Sequence, residues 1–209
     1  MYEYLYSLIN KYSADVATIK LKTVNENSAN TCNETKEKIH TYDFEGIYAN
    51  MNSKNFWCLC SNLHKKELFN EMPHDLPLGL IFCEDMLMNY FVYKNVKTLV
   101  ASNLEKYYYY RHSESAIDGK LNYSIINDAV LAYNIIDNDF KKSSPAYPFS
   151  VGQKITNDLF LLNSIIRNNI CWDKYEPLRK DILSHAKYIF SEKCSSHFFC
   201  APQNRCNFT

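Results

Sequence analysis

The sequence predicts an α/β chain: a mixed sheet with helices, followed by a segment built of helices alone. Three observations carry this expectation. Residues 2–13 repeat apolar side chains at helical spacing, and residues 16–24 then alternate with period two. Residues 80–115 place an apolar helical block before two short aromatic and β-branched runs. After Ser115 every apolar stripe has helical spacing and none alternates.

The first helix rests on Tyr4, Leu5, Leu8 and Ile9, and Ser13–Ala14–Asp15 breaks it. Because the helical pattern starts at once, the chain is expected to begin inside a domain. In VATIKLKTV, Ala17, Ile19 and Leu21 share one face, with Thr18, Lys20 and Lys22 on the other, the pattern of a half-buried strand. Residues 25–41 are polar and Asn-rich and read as an exposed loop. Residues 44–52 predict a short helix through Phe44, Ile47, Tyr48 and Met51. Residues 55–60 (NFWCLC) predict a short buried strand, and 61–70 one or two helical turns capped by Ser61 or Asn62.

A loop bracketed by Pro73 and Pro77 leads into a helix over 84–94. Glu84 and Asp85 fall in its first turn, where negative charge complements the helix dipole. Its remaining residues are apolar around nearly the whole circumference, as in a helix buried on several sides. Residues 98–102 and 106–110 read as two short strands. Helices are predicted over 121–137, 154–170 and 175–190, with 141–150 as a Ser/Pro linker.

Composition narrows the function classes. The chain has 209 residues, 46% of them hydrophobic, enough for one sizeable core. Charge balances at 23 basic and 23 acidic residues, which favours neither nucleic acid nor an anionic membrane as partner. Only 4 glycines exclude a long glycine-rich phosphate loop. MYEYLYSLINKYSADV has no signal-peptide pattern, so the 8 cysteines are expected to be reduced and the chain cytoplasmic. Cys58, Cys60 and Cys83 lie in apolar runs and are read as small hydrophobes. No apolar run reaches transmembrane length.

The candidate chemistry is concentrated at the ends of the 80–115 block. A carboxylate at a buried helix start can have its proton affinity tuned and can take a proton from a hydroxyl, which singles out Asp85 with Glu84 beside it. On spacing alone, a simple acidic helix cap is the favoured explanation of the pair. Arg111, with His112, follows the tyrosine run and has the fork that holds a phosphate or diphosphate. Of Tyr107–Tyr110, alternation sends two into the core and two to a surface. Trp57 is either a stacking platform for an acceptor or a core indole.

Asp137–Asn138–Asp139 spells D-x-D, a cation-holding pattern, but at a helix end it reads as a terminator. In the tail, Cys194, His197, Cys200 and Cys206 lack the closely spaced cysteine pair of a zinc knuckle, so no metal site is assigned there.

The order LYSLINKYSADVA, LHKKELF, CEDMLMNYFVYKN and YYYYRHSES, ending at Ile117, resembles the C-terminal, acceptor-side portion of a family 2 glycosyltransferase with the GT-A fold. The resemblance covers about residues 1–117, leaving 118–190 as a helical appendage and 191–209 as a Cys-containing, disordered tail. It implies an inverting transfer in which Asp85 is the general base on an acceptor hydroxyl and Glu84 positions the acceptor. Arg111 matches the family's arginine after the tyrosine strand, and Asn62 stands where the family has a lysine.

The family's nucleotide-binding half, with its D-x-D metal motif, precedes such a segment and has no counterpart here. Asp137 and Asp139 lie on the wrong side of the E-D motif to replace it. The resemblance therefore implies no cofactor in this chain alone, and Mn²⁺ or Mg²⁺ in the complete enzyme. It implies a nucleotide-sugar and a glycan acceptor as partners of that enzyme, with another chain supplying the first half, at the inner membrane face. A non-catalytic module docking on a partner chain is the alternative expectation.

Overall fold

The computed structural model describes residues 1–24, 36–51, 56–74, 76–77, 79–110 and 122–191. The chain divides into two compact units, Met1–Gly79 with Glu84–Lys120 and Leu80–Cys83 with Leu121–Thr209. The class is mixed α/β.

The first unit opens with helix α1 (Tyr2–Tyr12). Glu3 in its first turn and Lys11 in its last complement the dipole. Leu5, Leu8 and Ile9 form its buried stripe. The helix ends at Ser13, in the left-handed region at φ 50°, and the Ala14 N–H returns to the Ile9 carbonyl at 3.0 Å.

This turn delivers Asp15 to the start of β1 (Val16–Val24). The Asp15 carboxylate accepts the Lys97 and Thr98 backbone N–H groups at 2.9 and 3.2 Å and pairs with Lys65 at 2.9 Å. Burial works to raise this carboxyl, but Lys65 and the two N–H groups outweigh it and hold it below the usual carboxylate range. One side chain thus ties three segments of the unit together.

The sheet contains β2 (Ile39–Tyr42), β3 (Asn62–His64) and β4 (Leu99–Tyr110) in the order β2-β4-β1-β3. β1 and β4 are parallel, and the outer strands β2 and β3 are antiparallel to their neighbours. Ala17, Ile19 and Val100 pack against the α1 stripe in one core cluster. Each Val, Leu or Ile side chain among them, fully buried, contributes about 1.5–3 kcal/mol.

Val16 and Thr18, of opposite parity, are buried as well. The opposite face carries Phe56, whose ring meets Tyr42 at 5.4 Å, and Tyr93, stacked on His64 at 6.1 Å. Coverage on both faces is what a parallel pair needs. Helix α2 (Phe44–Ala49), capped by the Asp43 carboxylate on the Gly46 N–H at 2.9 Å, adds Ile47 and Tyr48 to the core.

Several expectations are corrected here. Residues 59–61 form a 3₁₀ turn, and among the described residues 56–61 contain no strand. The strand is β3, followed by a 3₁₀ segment over Lys66–Glu71 in place of a helix capped by Ser61 or Asn62. The end of the predicted loop 25–41 is instead part of an edge strand, Ile39–Tyr42, paired to Leu99–Ser102. The predicted strands 98–102 and 106–110 are one strand. Its register shifts twice, between Ile19↔Ser102, Lys20↔Glu105 and Leu21↔Tyr107, so Asn103, Leu104 and Lys106 bulge from the ladder.

The Asn103 side chain uses that bulge to bind the Lys38 N–H at 2.6 Å and the Lys36 carbonyl at 3.2 Å. None of Tyr107–Tyr110 is fully buried: Tyr107 and Tyr109 are half-buried, Tyr108 and Tyr110 exposed. Beyond Ile19 and Ser102, β1 and β4 continue together while β2 and β3 do not flank them, so alternation there selects between half-covered and open faces.

The second unit contains α4 (Tyr123–Asp139), α5 (Tyr147–Asn168) and α6 (Tyr175–Ile189). Asn122 caps α4 by accepting the Ile125 N–H at 3.1 Å. Ile126, Ala129, Leu161, Ile165 and Leu178 form its core. The predicted linker over 141–150 is cut short because Pro148 occupies the first turn of α5, where a missing N–H costs nothing. Among the described residues no helix is long and apolar enough to cross a membrane.

Candidate functional site

Helix α3 (Glu84–Lys94) carries the acidic pair in its first turn. The chain enters it through Cys83 at φ 64°, a conformation L residues seldom adopt. Met86, Leu87, Tyr90, Phe91 and Val92 are buried, which leaves a polar stripe at every fourth position: Asp85, Asn89 and Tyr93. All three face the segment Phe56–Asn62. Asp85 accepts the Leu59 backbone N–H. Asn89 donates to the Phe56 and Trp57 carbonyls at 3.2 and 2.7 Å. The Tyr93 hydroxyl donates to the Phe56 carbonyl at 2.8 Å and accepts from Asn62 Nδ2 at 2.9 Å.

This ladder replaces the secondary structure that the segment lacks and positions Asp85. The Asp85 carboxyl is half-buried, and that burial pushes it above the ordinary carboxylate range against the opposing pull of the Leu59 N–H. Glu84 is exposed. The arrangement is a carboxylate with raised proton affinity, fixed at its helix end, beside an exposed second acid.

Trp57 lies on the same segment. Its carbonyl is held by Asn89 and its indole meets the Tyr48 ring edge-on at 6.1 Å, half-buried. One and three residues further on are Cys58 and Cys60, with Sγ atoms 2.7 Å apart. Both thiols are half-exposed, so the reading of this pair as core hydrophobes is corrected. The Asp85 charge bears on both, and the Tyr107 hydroxyl of β4 sits against Cys60. The structure therefore brings Asp85, Trp57 and the tyrosine strand to one neighbourhood through residues 56–62. Arg111, His112 and the tail residues Cys194, His197, Cys200 and Cys206 lie outside the described residues.

Sequence reading missed Asn89 and the cysteine pair. The signal for Asn89 was present as the spacing Asp85, Asn89, Tyr93 inside an otherwise apolar helix. Nothing in a lone C-x-C shows that its two side chains face each other.

The helical unit holds a second polar cluster. Lys154 and Asp158, one turn apart on α5, are both buried and joined at 2.7 and 2.9 Å. Lys154 also bonds Asp181 of α6. His185 bridges Asp181 at 3.2 Å and Asp137 at 3.3 Å. Burial raises Asp158 to about 6 against the pull of Lys154, while Asp137 and then Asp181 push His185 up to about 10. An open cavity of about 550 Å³ beside it is lined by Asn134, Asp137, Lys174, Lys180, Asp181 and Ser184.

Among the described residues no group of three or more His, Cys, Asp or Glu is arranged to hold a metal. Asp137 of the D-x-D sequence is engaged with His185 at the end of α4. No family model and no curated protein sequence matches the chain.

Proposed function

We propose that residues 1–117 are the acceptor side of an inverting glycosyltransferase of the family 2 kind with a GT-A-like sheet. Asp85 carries the reading: a half-buried carboxylate of raised proton affinity, held by the Leu59 N–H at the start of α3. Such a group is matched to removing a proton from a sugar hydroxyl near neutral pH. The freed oxygen attacks the anomeric carbon of a nucleotide-sugar, the bond to the diphosphate breaks with its electron pair, and configuration inverts. Glu84 orients the acceptor, Trp57 stacks on it, and Arg111 with His112 holds charged oxygens.

The donor, with its divalent ion, is bound outside these residues by a chain supplying the nucleotide-binding half. Residues 1–209 alone are inactive, and the complete enzyme works on glycans at the cytoplasmic membrane face. The test is sugar transfer by the completed enzyme. Asp85→Asn lowers turnover about 10²–10⁴-fold with unchanged circular dichroism, and wild-type activity falls as pH drops through the raised carboxylate value. Unchanged turnover in the variant refutes the role of Asp85. Tight, Mn²⁺-dependent binding of a nucleotide-sugar to residues 1–209 alone refutes the missing donor site.

A second reading, a non-catalytic docking module, is favoured by the exposed Leu159, Phe160, Ile166, Leu183 and Phe190 of the helical unit. It expects partner binding that survives Asp85→Asn and is lost on replacing Phe160 and Leu183 with serine.

A further inference from the structure

We infer that Cys58 and Cys60 are a redox-active dithiol that closes to an intramolecular disulfide, with Cys58 as the attacking thiol and Cys60 as the resolving one. The inference is independent of the glycosyltransferase reading.

Four observations carry it. The two Sγ atoms face each other 2.7 Å apart across a single intervening residue. Their backbone is clamped on both sides: Asn89 holds the Trp57 carbonyl at 2.7 Å, Asn62 Nδ2 holds the Cys58 carbonyl at 2.8 Å, and Asp85 takes the Leu59 N–H. Both thiols are half-exposed, so a small disulfide reaches them. The environments also differ. The Cys60 thiol, with weaker help from the Cys60 and Ser61 N–H groups, draws Cys58 below the ordinary thiol range, whereas Cys60 is pushed above it by Cys58. A pair sharing one proton yields its first thiolate readily and its second reluctantly.

The oxidant is a low-molecular-weight disulfide such as glutathione disulfide. The Cys58 thiolate attacks one of its sulfurs, forming a mixed disulfide and expelling one glutathione thiolate, which takes up a proton. Cys60 then loses its proton to solvent and attacks the Cys58 sulfur. The new S–S bond forms as the Cys58–glutathione bond breaks, and the second glutathione leaves. Overall the protein dithiol is oxidised by two electrons and one glutathione disulfide is reduced to two thiols. The ring closed across one residue is small and accessible, which makes it reopen under reduced glutathione, unlike a structural disulfide.

The sequence supplies a clean readout. Trypsin cleaves after Lys54 and Lys65, and between them Cys58 and Cys60 are the only cysteines. The full chain is incubated with glutathione disulfide at pH 7, alkylated, digested and weighed. The expected 55–65 peptide is unalkylated and two hydrogens lighter than the dithiol, and it returns to double alkylation after reduced glutathione. Cys60→Ser stops at a stable glutathione adduct on Cys58. In the wild type, substoichiometric iodoacetamide at pH 7 is expected to label Cys58 ahead of Cys60, and the variant is checked for fold by circular dichroism. A wild-type peptide that stays doubly alkylated, or that keeps glutathione without closing, overturns the proposal. Labelling of Cys60 as fast as or faster than Cys58 in the wild type overturns the assigned order of attack.

Discussion

Asp85 shows how one carboxylate is pulled two ways. The first turn of α3 favours its charge, while burial among residues 56–62 opposes it, and burial wins. A carboxyl whose folded value lies above its unfolded value gains stability as pH falls through the folded value and costs stability when ionised. Asp85→Asn keeps an oxygen for the Leu59 N–H and removes that cost. Urea denaturation at pH 7 is therefore expected to place the variant at or above the wild-type midpoint, with the difference vanishing as pH falls below 3.8, the ordinary aspartate value. An acidic cap serving only the helix dipole predicts the opposite, a loss of about 0.3–1 kcal/mol. Asp15 has the reverse balance. Its carboxyl is also partly buried, yet three donors hold it below the usual range, and its contribution is lost as pH falls through that lowered value.

At the scale of elements, legibility followed periodicity. Helices α1 and α3 and strand β1 were readable because their stripes lie entirely within one element, as Leu5, Leu8 and Ile9 do. β2 was not, since Ile39–Tyr42 gains its strand character from pairing with Leu99–Ser102 and has only one hydrophobic residue besides Tyr42. β4 looked like two strands because Asn103 and Leu104 break the alternation, and a bulge reads as a turn when its partner is unknown. At the candidate site the acidic pair was legible, whereas the hold on it by residues 56–62 was not. That hold runs through the Leu59 backbone N–H, with Asn89 and Tyr93 on the Phe56 and Trp57 carbonyls behind it, and backbone groups leave no mark on sequence.

Lys154 and Asp158 of α5 were equally hidden, since a Lys–Asp pair one turn apart is ordinarily a solvated face. Here both are buried. Lys154→Met is expected to leave Asp158 as an uncompensated buried acid and to cost about 3–5 kcal/mol. Adding Asp158→Leu is expected to recover most of it, and a double-mutant cycle by thermal denaturation checks the sign. A double variant whose cost equals the sum of the two single costs would mean that the pair contributes no coupling.

For the whole molecule, pH separates the contributions of the two units. His185 is raised from 6.5 to about 10 by Asp137 and Asp181, so its stabilisation is complete below 6.5 and disappears as pH rises through about 10. Thermal melts of the wild type are expected to lose stability across that window, and His185→Gln to flatten the loss; an unchanged slope in the variant would assign it to other groups. The parallel pairing of β1 and β4 has a consequence for how the first unit is made. Val16 finds its partner in Leu99, and Val24 in Tyr110, so every rung of the central ladder closes a loop through most of the unit. On a ribosome β1 emerges long before β4 exists, and α1 alone covers it. The sheet assembles only after translation has passed the tyrosine run. Its folding is therefore slow and late, and that interval is when a chaperone has β1 to hold.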